Sequence, residues 1–126
     1  MINAYKTKSL VAVCLLLVTS SVLATNTWFA REGAVAHMTP EDVEILTSTI
    51  DNALNNSPDG TVVEWSNPET TASGKVSVGK THQDYGTTCR LMRMQNNSKG
   101  ISRSGNYRLC KDQEGAWRFA PMQRSE

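Results

Sequence analysis

The residues most often used for chemistry are few in this chain of 126 residues, which has two histidines, His37 and His82, and three cysteines. Cys89 as nucleophile with His82 as base is the best catalytic pair, and Arg90 beside it would favour the thiolate. That site requires Cys89 to be a free thiol. The sequence lacks His-Glu-x-x-His, Cys-x-x-Cys, Gly-x-Ser-x-Gly and a phosphate-binding glycine loop. We therefore predict that the protein is not an enzyme and holds no metal or cofactor.

The N-terminus has the build of a secretory signal peptide. Two lysines precede an apolar run from Leu10 to Val18, and small residues follow up to Ala24. We expect cleavage between Ala24 and Thr25, because the apolar run falls short of the about 20 residues that span a membrane. The alternative is a lipoprotein acylated at Cys14, but Val13 is larger than the residue expected before a lipidated cysteine.

Cys110 is the other cysteine of the predicted mature chain. If a hairpin turn is centred between Lys99 and Gly100, residues whose numbers sum to 199 lie opposite each other, and Cys89 faces Cys110. The same register separates a mainly apolar face from a mainly polar one, with the pairs Met92 and Tyr107, Arg90 and Leu109, Met94 and Gly105 on one face, and Leu91 and Arg108 on the other. In an exported protein this pair is predicted to form a disulfide, worth roughly 3 kcal/mol. Two unpaired small side chains are the alternative.

Five arginines form the predicted anion-binding or partner-binding set: Arg90, Arg93, Arg103, Arg108 and Arg118. The hairpin and the last strand are expected to gather them, with Lys99, into a small region. Guanidinium groups bind phosphates and carboxylates through paired hydrogen bonds, and so lipopolysaccharide phosphates, acidic glycans or an acidic protein are the expected partners. The alternative is a solvated sheet face that discourages edge aggregation. No aromatic array interleaves with these residues, which argues against nucleic acid, and no small-molecule substrate is evident.

Charge is divided unevenly along the chain, although the formal net charge is only +1. Residues 25–69 hold one basic and eight acidic side chains, and residues 70–126 hold ten basic and four acidic ones. Three arrangements are consistent with this division. The acidic and basic parts face each other, or they lie on different solvent-exposed faces, or the basic part contacts an anionic surface.

The residues from Thr39 to about Leu54 have the signals of one amphipathic helix. Thr39 is a suitable N-cap, Pro40 suits the first helical position, and acidic residues follow in the first turn. Apolar residues fall on one face at spacings of three and four, namely Val43, Leu46, Ile50, Ala53 and Leu54. Turn-forming residues at 55–60 end the helix.

The rest of the chain predicts about five antiparallel strands, separated by turns or loops that include residues 80–84 and 96–100. The fold class is therefore α+β, with one N-terminal amphipathic helix packed on an antiparallel meander sheet and one cross-strand disulfide. The predicted organisation is a signal peptide at 1–24, a linker at 25–38, the α+β domain at 39–122 and a tail at 123–126. Trp28 and Phe29 in the linker are expected to pack on the domain or to lie at a membrane interface.

Several short sequences carry a resemblance to a known family: Ala53–Val62, Trp65–Pro68, Ser73–Val76, Cys89–Arg90, and Cys110 followed by Gly115–Arg118. In this order they resemble the C-terminal domain of the seventeen-kilodalton surface antigen family of Gram-negative bacteria, over about Asp42 to Phe119. The resemblance implies a small exported domain at the outer membrane or in the periplasm, with no established enzymatic activity. The family commonly has a lipidated cysteine and a glycine zipper before this domain, and this chain has neither a good lipobox nor the zipper.

The sequence thus predicts a non-catalytic module of the cell envelope, outer-membrane-associated or periplasmic. Its expected partners are outer-membrane components or another envelope protein. The alternative function is an accessory or inhibitor subunit that binds one specific envelope protein. Co-purification after mild crosslinking would separate the two.

Overall fold

The computed structural model describes residues 33–123, which contain one α-helix and a five-stranded sheet. The helix is α1 (Pro40–Asn56), and the strands are β1 (Val62–Ser66), β2 (Ser73–Asp84), β3 (Thr87–Ser98), β4 (Ile101–Lys111) and β5 (Trp117–Ala120). Each strand pairs antiparallel with the next, in the order β1-β2-β3-β4-β5. The predicted α+β meander is confirmed. The predicted signal peptide, its cleavage site, Cys14 and the Trp28–Phe29 pair lie outside the described residues.

Helix α1 begins with a capping box, as its first residues predict. Thr39 Oγ1 accepts from the backbone N–H of Asp42, and Asp42 Oδ2 accepts from the backbone N–H of Thr39, at 3.2 and 3.0 Å. Asp42 is buried, and its Oδ1 also accepts from the side chains of Asn67 and Thr70. Burial alone would raise the pKa of Asp42, but these hydrogen bonds together hold the pKa below its ordinary value. One carboxylate therefore joins the start of α1 to the loop after β1.

The core lies between α1 and one face of the sheet. Leu46, Ala53 and Leu54 are at most 2% exposed on the inner side of α1. They belong to one cluster with apolar residues of the strands, which include Trp65, Val76, Val78, Met92, Met94 and Leu109. Full burial of each such side chain stabilises the fold by roughly 1.5–3 kcal/mol. The opposite face of the sheet has no helix over it among the described residues.

The β3–β4 hairpin has the predicted register, with partners that sum to 199 and Cys89 opposite Cys110. The predicted disulfide joins these two cysteines. The turn is shorter than the five residues predicted, because Lys99 and Gly100 alone turn the chain, both with positive φ.

Asn96 and Ser98, predicted in that turn, instead lie in β3 and face the core side of the sheet. Both are buried, and each has a hydrogen-bond partner there. Asn96 Oδ1 accepts from Trp65 Nε1 at 3.2 Å, and Ser98 Oγ donates to the carbonyl oxygen of His37 at 3.3 Å. These partners satisfy two buried polar side chains that turn propensity alone would place in solvent.

The predicted loop at residues 80–84 is also wrong, since β2 continues to Asp84. Tyr85 and Gly86, with φ of 48° and 79°, form the tight turn to β3. Strand β2 has an irregularity between Val78 and Thr81, where its register with β3 shifts by one residue. His82 is therefore a strand residue opposite Cys89 rather than a solvated turn residue.

Part of the predicted linker packs on the sheet. Residues Gly33–His37 form a short 3-10 helix whose Ala34 and Val35 are buried. Gly33, at φ 58°, lies under the side chain of Arg103, which would meet any Cβ placed there. No helix within residues 33–123 is long and apolar enough to cross a membrane.

Candidate functional site

Arg90 lies on the core side of the sheet and is buried at the C-terminal end of α1. Its Nη1 donates to the carbonyl oxygen of Leu54 at 2.6 Å, and its Nη2 donates to the carbonyl oxygen of Ser57 at 2.8 Å and to Asp59 Oδ1 at 3.0 Å. The hydroxyl and backbone N–H of Thr81, with a smaller contribution from Arg90, hold the pKa of Asp59 below its ordinary value. The three acceptors of these hydrogen bonds from Nη1 and Nη2 all belong to the protein itself. Arg90 is thus placed to terminate the helix.

Arg108 is also buried, but on the opposite face of the sheet. Its guanidinium forms an ion pair with Asp84, and its Nε donates to Nε2 of His82 at 3.3 Å. Its Nη2 lies 3.5 Å from Cys89 Sγ, and its Nη1 donates to the carbonyl oxygen of Pro121. Because a buried guanidinium needs a counter-charge, Asp84 compensates Arg108 within the fold.

Arg118 lies at the β5 edge of the sheet and pairs with Asp112 at 3.0 Å. Asp112 also accepts from the backbone N–H groups of Ala116 and Glu114, which closes the turn between β4 and β5. The bond from Ala116, with smaller contributions from Arg118 and Glu114, holds the pKa of Asp112 below its ordinary value. A third predicted binding arginine is therefore compensated by a carboxylate.

Arg93 and Arg103 are the two exposed arginines of the set whose hydrogen-bond partners among the described residues are all uncharged. Arg93 donates to Asn106 Oδ1 at 3.4 Å and to Ser104 Oγ at 3.2 Å. Arg103 donates to the carbonyl oxygen of Ser102 at 2.9 Å. The two lie on opposite faces, because Arg103 pairs with the core-side residue Asn96. The structure thus divides the five arginines between two faces instead of gathering them.

The uncovered face of the sheet is a flat array of polar side chains around Arg93, which we call the polar sheet face. Its members form three rows across the strands: Ser66, Ser73, Asn97 and Ser102; Glu64, Lys75, Gln95 and Ser104; and Ser77, Arg93 and Asn106. Most of these residues are exposed. A shallow concavity of about 410 Å³ has Lys75, Gln95 and Asn97 among its lining residues.

Electrostatics on the polar sheet face is weakly positive. Lys75 is 3.4 Å from Glu64, and this ion pair is well exposed. Arg93 has hydroxyl and amide partners, and no carboxylate of the described residues forms an ion pair with it. Hydroxyls, carboxamides and one uncompensated guanidinium are the groups that bind sugar hydroxyls and phosphates.

Sequence reasoning singled out Arg93 but missed the rows around it. A signal was present, because along β3 buried Met92 and Met94 alternate with exposed Arg93, Gln95 and Asn97. The turn predicted at residues 96–100 ends this alternation at Gln95, whereas β3 continues to Ser98. The carboxylate partners of Arg90 and Arg108 carried no sequence signal, because they come from other strands or loops.

The nucleophile and base considered from the sequence lie on neighbouring strands. His82 is directly opposite Cys89, but Cys89 is 0% exposed and its sulfur is bonded to Cys110. That pair therefore lacks the free thiol that the chemistry requires. Within residues 33–123, no three His, Cys, Asp or Glu side chains are grouped as metal ligands.

Comparison with family models matches residues 52–118 to the 17 kDa outer membrane surface antigen family, which is more than half of the chain. The chain belongs to this family. The matched residues include strands β1 to β4, the first two residues of β5, the disulfide and the polar sheet face. Family membership assigns the chain to the outer-membrane surface antigens, as the ordered short sequences predicted. Searches of curated proteins and of solved structures gave no match.

Proposed function

We propose that the surface antigen domain is a non-catalytic binding module of the cell envelope whose polar sheet face takes a phosphorylated glycan. The observation that carries this proposal is Arg93, which Ser104 and Asn106 hold among exposed hydroxyl and amide side chains. These two partners on β4 position the guanidinium without neutralising its charge. Within each row of the same face, neighbouring donors and acceptors come from adjacent strands, roughly 4.8 Å apart.

Arg93 is better suited to this role than the other predicted arginines. Arg90, Arg108 and Arg118 each have a carboxylate partner, and so an incoming phosphate would have to displace an existing ion pair. Arg103 keeps its charge but stands on the other side of the sheet, over Gly33. A variant that replaced Arg108 together with Arg93 would confuse binding with folding, because Arg108 is buried.

The test is binding of purified lipopolysaccharide to the protein and to two variants with the same charge change. We expect Arg93→Gln to bind about tenfold more weakly, because a charge-assisted hydrogen bond contributes roughly 1.5 kcal/mol or more. Arg103→Gln, on the opposite face, should bind as the parent does. The difference should shrink at high salt and be absent with dephosphorylated lipopolysaccharide. Equal weakening by both variants would reject the polar sheet face as the site.

We further propose that the protein is exported by a cleaved signal peptide. The features that support this are the lysines, the apolar run and the small residues that end at Ala24. The intact mass of protein recovered from periplasmic and outer-membrane fractions should correspond to a chain that begins at Thr25. A mass that corresponds to a chain beginning at an acylated Cys14 would show a lipoprotein and overturn this proposal.

A further inference from the structure

Strand β1 is an edge strand whose outer backbone groups have no partner among the described residues. The backbone N–H of Val78 donates to the carbonyl oxygen of Thr61, and that of Asn67 donates to Ala72, each at 2.8 Å. Backbone groups alternate in direction along a strand. The N–H and C=O groups of Val63 and Trp65 therefore point at β2, and the alternate residues point away, namely Val62, Glu64 and Ser66.

An open groove of about 630 Å³ runs beside this edge, between α1 and β1. Ile45 and Val63 contribute apolar surface to it, and both belong to the partly buried rim of the core. Glu41 and Glu44 lie on its helical side, and α1 contains no lysine or arginine. An added strand would thus meet apolar surface and negative charge on the same side.

A second copy of this chain fits the edge poorly. Antiparallel pairing of two β1 strands through their outer groups would be centred on Glu64, the middle of the three outward residues. Two Glu64 side chains would then lie opposite each other, and like charges in that position are destabilising. The acidic residues of α1 would add further repulsion, since each copy would present them beside the other's edge.

We propose that the β1 edge binds an extended segment of another protein, rich in lysine or arginine, by strand addition. The outward N–H and C=O groups of Val62, Glu64 and Ser66 supply the main-chain hydrogen bonds. An alternate apolar side chain of the segment contacts Ile45 and Val63, and its basic side chains lie against Glu41 and Glu44. This site uses the outward backbone groups of β1 rather than the side chains of the polar sheet face, and it requires a protein segment rather than a glycan.

The probe is an acetylated and amidated eight-residue peptide, added to the purified protein, whose residues on one face are alternately lysine and valine and whose residues on the other face are threonine. We expect saturable binding that protects the amides of Val62, Glu64 and Ser66 from hydrogen exchange, with little change at Val63 and Trp65, which the parent sheet already protects. The matching peptide with glutamate in place of lysine should bind at least tenfold more weakly. Protection confined to β3 and β4, or no protection at β1, would overturn the proposal.

Two variants at one position separate backbone pairing from charge. Glu64→Pro removes an outward N–H, and so it should abolish binding. The variant should still fold, because the hydrogen bonds to β2 stay in place and proline is tolerated on edge strands. Glu64→Gln keeps the N–H and should weaken binding only a few fold, in a salt-dependent way. Equal binding by the parent and by a folded Glu64→Pro would contradict strand addition.

Modification of the peptide keeps the test valid if Glu64→Pro does not fold. N-methylation of every second peptide amide blocks one hydrogen-bonding edge of the peptide, and N-methylation of the remaining amides blocks the other edge. One of these two methylated peptides should fail to bind, and the other should keep an affinity within a few fold of the unmodified peptide. Equal effects of the two sets, or a peptide-free dimer in which the β1 amides are already protected, would overturn the proposal.

Discussion

Nη1 of Arg90 lies 2.6 Å from the carbonyl oxygen of Leu54, and so a strand residue terminates the helix that packs over its own sheet. The last carbonyls of a helix lack partners within the helix and carry partial negative charge. Arg90 satisfies two such positions, at Leu54 and Ser57, and also reaches Asp59. A basic residue in β3 does here what a lysine or arginine in the last turn of α1 would otherwise do.

Replacement of Arg90 by lysine should destabilise the protein by about 2 kcal/mol. A single ammonium group cannot reproduce the bonds of two guanidinium nitrogens to three acceptors, and unsatisfied buried acceptors carry a cost. Urea denaturation measures the change, with Arg103→Lys as the control for an exposed arginine, expected within about 0.5 kcal/mol of the parent. Equal stability of the two variants would contradict a helix-terminating role.

Asp42 should make the stability of the domain depend on pH in acid. Its pKa is lowered in the folded protein, and so its contribution is fully present above the ordinary carboxyl pKa of 3.8 and is lost as pH falls through the lowered value. Asp42→Asn removes this titration. Urea unfolding at about pH 6 and about pH 2.5 should therefore show a larger loss for the parent than for the variant.

The comparison isolates Asp42, because Asp59 and Asp112, whose pKa values are also lowered, are present in both proteins. Parallel pH profiles for the parent and Asp42→Asn would mean that the carboxylate has no net effect on acid stability.

Gly74 should resist replacement because the indole of Trp65 crosses directly over it. A Cβ at Gly74 would lie 2.6 Å from Trp65 Nε1, 2.6 Å from Asn96 Oδ1 and closer still to the carbonyl oxygen of Gln95. Gly74→Ala is therefore expected to cost about 1–3 kcal/mol, through strain and loss of the Trp65–Asn96 hydrogen bond. Thermal unfolding measures the cost, and the indole N–H resonance of Trp65 should shift. An unchanged unfolding temperature together with an unshifted indole resonance would show that the sheet relaxes freely at Gly74.

The disulfide should contribute roughly 3 kcal/mol, since it joins cysteines 21 residues apart and restricts the unfolded chain. Reduction should lower the urea midpoint of the parent by a corresponding amount. The same reductant should leave the double variant Cys89→Ala, Cys110→Ala unchanged. An unchanged midpoint for the reduced parent would mean that the paired strands hold the two residues together without the bond.

Local patterns were enough to predict much of the fold. The N-cap at Thr39, the apolar face of α1 and the cross-strand position of Cys89 and Cys110 each depend on residues close in sequence or on one hairpin register, and all three are confirmed. The turn boundaries were predicted less well. Asn96 and Ser98 have turn-forming side chains, but partners from β1 and the 3-10 helix hold them in a strand.

The candidate site depended more on tertiary structure. Sequence showed five arginines in the basic half of the chain, and the alternation of β3 was enough to place Arg93 on the polar face. The predicted hairpin register already placed Arg90 and Arg108 on opposite faces. Only the fold decided that both are buried beside Asp59 and Asp84, because those carboxylates approach from distant parts of the chain. An ion pair between residues far apart in sequence leaves no periodic signal, whereas alternation and helix capping are local. The sequence by itself therefore determined the helix, the meander and the disulfide, and tertiary packing decided which charged groups stay available for a partner.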